Sequence, residues 1–144
     1  MKKGIKSLGA YLPYHYLTRA ALGAAWGGKG GKGEKSVADV DEDSVTMAVE
    51  AAMGCFRFTK REDVNALYFA STTGPYAEKC HAALIAVACD LKDENVFTSD
   101  IMTSTRAGTN ALKSALDSVV ANPGQSVLVT AADARNGYPK SAQE

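Results

Sequence analysis

Residues 100 to 120 read DIMTSTRAGTNALKSALDSVV, a short β-like run that passes through small polar residues into a long helical pattern. In an α/β protein such a junction is a place for chemistry. The first helical turn offers unpaired backbone N–H groups and a partial positive charge to an anion or a developing oxyanion. The side chains on offer are Ser104, Thr105 and Arg106, with neither cysteine nor histidine in the junction. A hydroxyl is hardly ionised near neutral pH and attacks a carbonyl only with an adjacent base, and none lies close in sequence. The other reading of Ser104 and Thr105 is a cap that satisfies orphan amides at the helix start.

A second set of chemistry-bearing residues is WGGKGGKGEK, residues 26 to 35. It puts the indole of Trp26 ahead of Lys29, Lys32 and Lys35, with glycines that let backbone N–H groups converge on an anion. A solvated, mobile loop is the plainer reading. Cys55, Cys80 and Cys89 are odd in number, lack C-x-x-C spacing and fall within helical patterns. They read as small buried apolar residues rather than a disulfide or metal set, and no metal site is expected. His15 and His81 have no partner in sequence, so each reads as a surface or hydrogen-bonded histidine. Asp133 and Arg135 follow the last predicted strand and are expected to fix that turn or to contact a partner subunit.

The elements that must position these residues follow from periodicity. GIKSLGAYLP (4 to 13) predicts a first strand stopped by Pro13. Thr18 can cap a short helix, RAALGAAW, which runs into the glycine-lysine loop. DEDSVTMAVEAAMGCF predicts an amphipathic helix with Val45, Ala48, Val49, Ala52 and Met53 on one face. Then come a buried strand over VNALYFAST (64 to 72), a helix over EKCHAALIAVACDL, a strand over NVFTSDI, a helix over TNALKSALDSVVA ended at NPG, and a strand over SVLVTAAD. Strands alternating with helices at this spacing imply a largely parallel sheet covered by helices on both faces.

Bulk properties agree with one α/β unit. The chain has 144 residues, 46% hydrophobic and 22% charged, and 16 basic residues balance 16 acidic ones. Zero formal charge recruits neither nucleic acid nor a membrane surface. MKKGIKSLGAYLP has a basic start but no sustained apolar stretch, and no segment approaches a membrane span, so a cytoplasmic protein is expected.

Four segments, GIKSLGAYLP, DEDSVTMAVEAA, ALYFASTTGPYAEKCHAALIA and VLVTAADARNGYPKSAQE, joined by the junction helix, carry a family likeness. Their order and separations resemble the N-terminal half of the thiolase superfamily, nearest to 3-hydroxy-3-methylglutaryl-CoA synthase and more distantly the ketoacyl synthase III group. The resemblance covers nearly the whole chain. It implies a thiolase-like half-domain over residues 1–144, with a mainly parallel sheet of strand order resembling 3-2-1-4 and a fifth strand missing. It also implies a coenzyme A thioester as substrate or ligand, with no tightly bound cofactor.

The same resemblance puts the family's nucleophilic cysteine on Thr105 and its acid/base glutamate on Thr72. Trp26 and Lys29, with Lys32 beside them, fall near positions that hold the adenine and phosphates of coenzyme A. The family's catalytic histidine and asparagine come from the C-terminal half, so His15 and His81 do not inherit that role. Cysteine-dependent condensation by the family's route is therefore not expected of this segment. Three alternatives follow: an enzyme using Thr105 or Ser104 with a base from elsewhere; a non-catalytic acyl-CoA-binding or scaffold subunit that serves a catalytic partner; or plain structural caps.

The chain stops just before the glycine-rich run that opens the family's next strand. An open sheet edge and an uncovered helix face are then expected to associate with a C-terminal half or a second copy of the chain, or else the chain is a fragment of a longer protein.

Overall fold

The computed structural model describes residues 3–91, 95–102 and 104–138. The chain separates into two compact units, one of residues 1–11 and 43–133, the other of residues 12–42 and 134–144.

The larger unit is built on a three-stranded parallel sheet of β3 (Val64–Ser71), β4 (Phe97–Met102) and β5 (Ser126–Ala131). β3 lies in the middle, paired to β4 on one edge and β5 on the other. Its burial explains its place: all of its residues except Asn65 and Tyr68 are buried, as a strand covered on both faces requires. Leu67 and Phe69 point to one face, where they meet α2 (Ser44–Cys55), α3 (His81–Ala88) and Leu128 of β5. Ala70 points to the other, against Ala107 and Ala111 of α4 (Ala107–Ala121). Helices therefore cover both faces, as the alternating pattern predicted.

Each helix start has an identifiable cause. The Asp43 carboxylate accepts from the N–H groups of Val45 and Thr46, and the Thr46 hydroxyl accepts from the Asp43 N–H, a reciprocal capping box on α2. On the inward face Val45, Ala48 and Ala52 are buried as expected, whereas Val49 is half-buried and Met53 is exposed. α3 is shorter than its hydrophobic run, because Asp100 reaches over from β4 and accepts from the N–H groups of His81 and Ala82 at 2.8 and 2.7 Å. α4 begins two residues before the predicted start and ends where Gly124 adopts a φ of +98°.

The expected strand order needs correction. Residues 4–13 form no strand, and β5 occupies the place beside β3 that the order 3-2-1-4 assigned to them. Ile5 and Leu8 are 67% and 75% exposed, so the segment's apolar side chains are not packed as those of a central strand would be. It serves instead as a strap over the end of α2. The Ser7 hydroxyl donates to the Cys55 carbonyl at 2.8 Å, and Gly9 lies so close to Ala51 and Cys55 that a Cβ would stand 2.1 Å from the Ala51 carbonyl oxygen.

In the smaller unit, β1 (His15–Thr18) pairs antiparallel with β2 (Glu34–Val37), and α1 (Arg19–Ala25) lies between them in sequence. The Thr18 hydroxyl caps α1 by accepting from Ala21 N–H at 3.1 Å, as its position suggested. The two-stranded ribbon was not foreseen. It forms because Gly30 fits against Arg19 and Ala20, where a Cβ would meet the Arg19 carbonyl oxygen at 2.0 Å, and this lets the loop double back. His15 Nε2 lies 3.1 Å from the Asp39 carboxylate, both side chains well exposed.

Candidate functional site

Parallel strands gather their chemistry at their C-terminal ends, where the chain leaves the sheet for the next helix. At that end of β3 and β5 the structure has a cleft of about 260 Å³, lined by Ser71, Thr72, Ser104, Thr105, Gly108 and Asp133 together with small apolar residues. Thr72 and Thr105 are separated in sequence by all of α3 and β4 with their connecting loops, and the fold brings them to one cleft. Ser104, the third predicted site residue, lines it too.

Thr105 is exposed and stands just ahead of α4, whose N-cap is Arg106. Ser104 accounts for the turn that starts the helix: its hydroxyl accepts from Arg106 N–H at 3.1 Å, and its carbonyl accepts from Ala107 N–H at 2.9 Å. Among the described residues, no side chain caps α4 in the sense foreseen for this pair: the N-cap is Arg106, and Ser104 shapes the turn ahead of it.

Across the cleft, β3 runs out into a tightly bonded loop. Its organising group is Asp133, just after β5, whose Oδ1 accepts from Thr72 N–H at 2.6 Å and the Thr72 hydroxyl at 3.0 Å. The same oxygen accepts from the Ser71 hydroxyl at 3.1 Å and the Thr73 hydroxyl at 3.3 Å. Partial burial pushes the carboxyl up, but the hydrogen bonds from Thr72, Ser71 and Thr73 outweigh it, so Asp133 ionises below the ordinary carboxylate range. Asp133 does fix the chain here, although what it fixes is the loop after β3 rather than its own turn. Sequence reasoning missed its place in the site because the partners lie some 60 positions away.

The loop is held from two further sides. The Ser44 hydroxyl, at the first position of α2, donates to the Thr73 carbonyl at 2.9 Å. Beyond Gly74, Tyr76 N–H donates to His81 Nε2 at 3.1 Å. That leaves His81 Nδ1 as the protonated nitrogen, donating to Asp100 Oδ2 at 2.7 Å. His81 is 2% exposed and stacks against Tyr76. It is a hydrogen-bonded structural histidine, and Gly74 is required beside it, since a Cβ there would come within 2.9 Å of the imidazole.

The remaining candidates lie elsewhere. Trp26 caps the C-terminus of α1 and is 42% exposed, and Lys29 and Lys32 are exposed in the loop that follows, all three within the smaller unit. Of the cysteines, Cys89 is buried and its thiol is pushed up by burial, as expected of a small core residue, and Cys55 is half-buried. Cys80 departs from that expectation and is exposed at the N-cap of α3, with its thiol 3.8 Å from the Thr98 hydroxyl and from the Asp100 carboxylate of β4. Among the described residues, no group of three or more His, Cys, Asp or Glu could hold a metal ion, and no helix is long and apolar enough to cross a membrane.

No family model matches the chain. A hydroxymethylglutaryl-CoA synthase from Methanocella arvoryzae is 32% identical over 152 residues, covering 100% of this chain and 44% of that protein. The crystal structure of β-ketoacyl-[acyl carrier protein] synthase III from Thermus thermophilus superposes with a TM-score of 0.77 and 30% identity, over 92% of this chain and 43% of that one. The HMG synthase of the curacin biosynthetic pathway shares the fold at a TM-score of 0.81 and 24% identity, over 89% of this chain and 34% of that one. The chain thus spans less than half the length of the proteins it matches. It is thiolase-like in sequence and in fold, and what it resembles is the N-terminal half of a hydroxymethylglutaryl-CoA synthase.

Proposed function

We propose that this chain is the acyl-CoA-handling N-terminal segment of a thiolase-type protein whose parent activity is HMG-CoA synthase-like acyl condensation, with Thr105 in the slot of the usual cysteine. One observation carries the reading: Thr72 and Thr105, the positions onto which the resemblance maps the glutamate and the cysteine, line the same cleft. A thioester carbonyl seated there would lie beside the start of α4, whose N-terminal amides favour a developing oxyanion. Trp26, Lys29 and Lys32 would hold the adenine and phosphates of coenzyme A.

The second reading, a non-catalytic acyl-CoA-binding or scaffold subunit, draws on the cleft's chemistry. Among the described residues lining it, Asp133 is the one titratable side chain, and its hydrogen bonds favour the ionised form and make it a weak base for a hydroxyl. In either reading the segment works with a C-terminal half or a second copy of itself, in the cytoplasm, and is not active alone.

Incubation with radiolabelled acetyl-CoA, followed by peptide mapping by mass spectrometry, separates the two. An adduct on Thr105 or Ser104 that survives neutral hydroxylamine, as an oxygen ester does and a cysteine thioester does not, supports the catalytic reading. Saturable binding without adduct supports the subunit. A chain that neither binds acetyl-CoA nor becomes acylated, whether alone or supplied with the C-terminal half of a hydroxymethylglutaryl-CoA synthase, overturns both.

A further inference from the structure

The wall of the cleft formed by the loop after β3 has an uneven supply of hydrogens. Ser71, Thr72 and Thr73 each carry one hydroxyl proton, and all three hydroxyls lie within hydrogen-bonding distance of Asp133 Oδ1. The Thr72 N–H is committed to the same oxygen, and the Thr73 N–H is committed to the Ser71 hydroxyl. An ionised carboxylate has no hydrogen to give. One carboxylate oxygen cannot hold all four donors at once, and the Ser71 and Thr73 hydroxyls also lie 3.5 Å from each other, so what the wall presents toward a ligand is chiefly acceptor capacity, above all Asp133 Oδ2. Among the described residues, every hydrogen bond that Asp133 accepts falls on Oδ1, and Asp133 itself is exposed.

We propose that Asp133 makes this wall an acceptor-rich, negatively charged surface that selects an acyl group carrying an O–H or N–H donor, such as a hydroxyacyl thioester, and disfavours one that places a carboxylate there. The inference rests on the acyl-CoA reading and names the acyl class for the same cleft. A donor on the acyl chain gains a bond to a charged acceptor, a saturated chain gains none, and a carboxylate meets like charge. Asp133 is a specificity-determining residue in this role. It receives hydrogen bonds and transfers no proton, consistent with a carboxyl that stays ionised.

The test is calorimetric titration of the whole chain with 3-hydroxybutyryl-CoA, butyryl-CoA and succinyl-CoA, which differ at the acyl group alone. The unmodified chain is expected to bind the hydroxyacyl compound roughly tenfold tighter than butyryl-CoA, and succinyl-CoA more weakly than either. Asp133→Asn, which adds an amide donor and removes the charge, is expected to shrink the hydroxyl preference and to raise succinyl-CoA affinity at least to that of butyryl-CoA. Thr72→Val leaves the carboxylate in place and is expected to reduce the hydroxyl preference while keeping succinyl-CoA weak. Equal affinities for all three compounds in the unmodified chain overturn the inference while leaving the acyl-CoA reading intact, and this comparison does not depend on any variant folding. Binding of none of them, coenzyme A included, removes the acyl-CoA reading and the inference together.

Discussion

The two faces of the central sheet are built to different ends. On the α2 and α3 face, Leu67, Phe69, Ile85 and Cys89 are fully buried in a continuous cluster that also takes in Val45, Phe56 and Leu128. On the α4 face the buried cluster is three alanines, Ala70, Ala107 and Ala111. The outer side of α4 leaves Leu112, Leu116 and Val120 between 40% and 57% exposed. Residues spaced by four lie one above another on a helix, so these three form an apolar stripe with nothing over it among the described residues. One face is a finished core that supplies stability; the other brings α4 close to the sheet through small side chains, places Ser104 and Thr105 at the cleft, and keeps surface for a further layer.

That contrast can be broken most forcefully from its finished side. Phe69→Ala removes a fully buried ring and is expected to cost about 3–5 kcal/mol, against about 1 kcal/mol or less for Leu116→Ala, measured by urea unfolding of each variant. Equal costs would mean that the α4 stripe is already covered in solution. The association proposed for this chain gives the next effect. Light scattering should find a species larger than one chain, and the pair Leu112→Glu with Leu116→Glu should shift it toward the monomer; a monomer in the unmodified protein would refute association through α4.

A smaller effect separates the helix caps. Asp43→Ala removes the box that starts α2 and is expected to cost about 1 kcal/mol, whereas Ser104→Ala, at an exposed turn, should cost less by the same measurement. The smallest effect is in pH dependence. Because the folded-state value of Asp133 lies below the unfolded one, its contribution is complete above the ordinary carboxylate range and fades as pH falls through the folded value. Asp133→Asn should flatten that acid limb of a melting-temperature profile slightly, and an unchanged profile would show that its hydrogen bonds do not favour the ionised form. On the finished face, Cys89 should resist a thiol reagent that modifies exposed Cys80, its thiol being held up by burial.

Most of the larger unit was legible because its signals are local. The run from Val64 to Ser71 is too apolar to be anything but covered on both sides, and Asp43 followed by Thr46 ahead of an apolar pattern marks a helix start. Residues 4–13 misled for a physical reason: an apolar, β-prone run specifies a strand only when a neighbouring edge accepts its hydrogen bonds, and here the edge of β3 goes to β5. The β1–β2 ribbon was hidden for the converse reason, since its loop is closed by backbone contact at Gly30 rather than by any side-chain pattern.

The site divides in the same way. That Ser104 and Thr105 stand at a strand-to-helix junction, and that residues 72 and 105 lack a carboxylate and a thiol, are properties of residue identity and local periodicity, which no folding can change. That Thr72 and Thr105 share a cleft, that Asp133 gathers the hydroxyls around it, and that His81 finds Asp100 all depend on contacts across 18 or more positions. A linear pattern carries no information on which distant groups will meet. Sheet pairing brings the ends of β3 and β5 side by side, and with them a carboxylate and the three hydroxyls that gather on it.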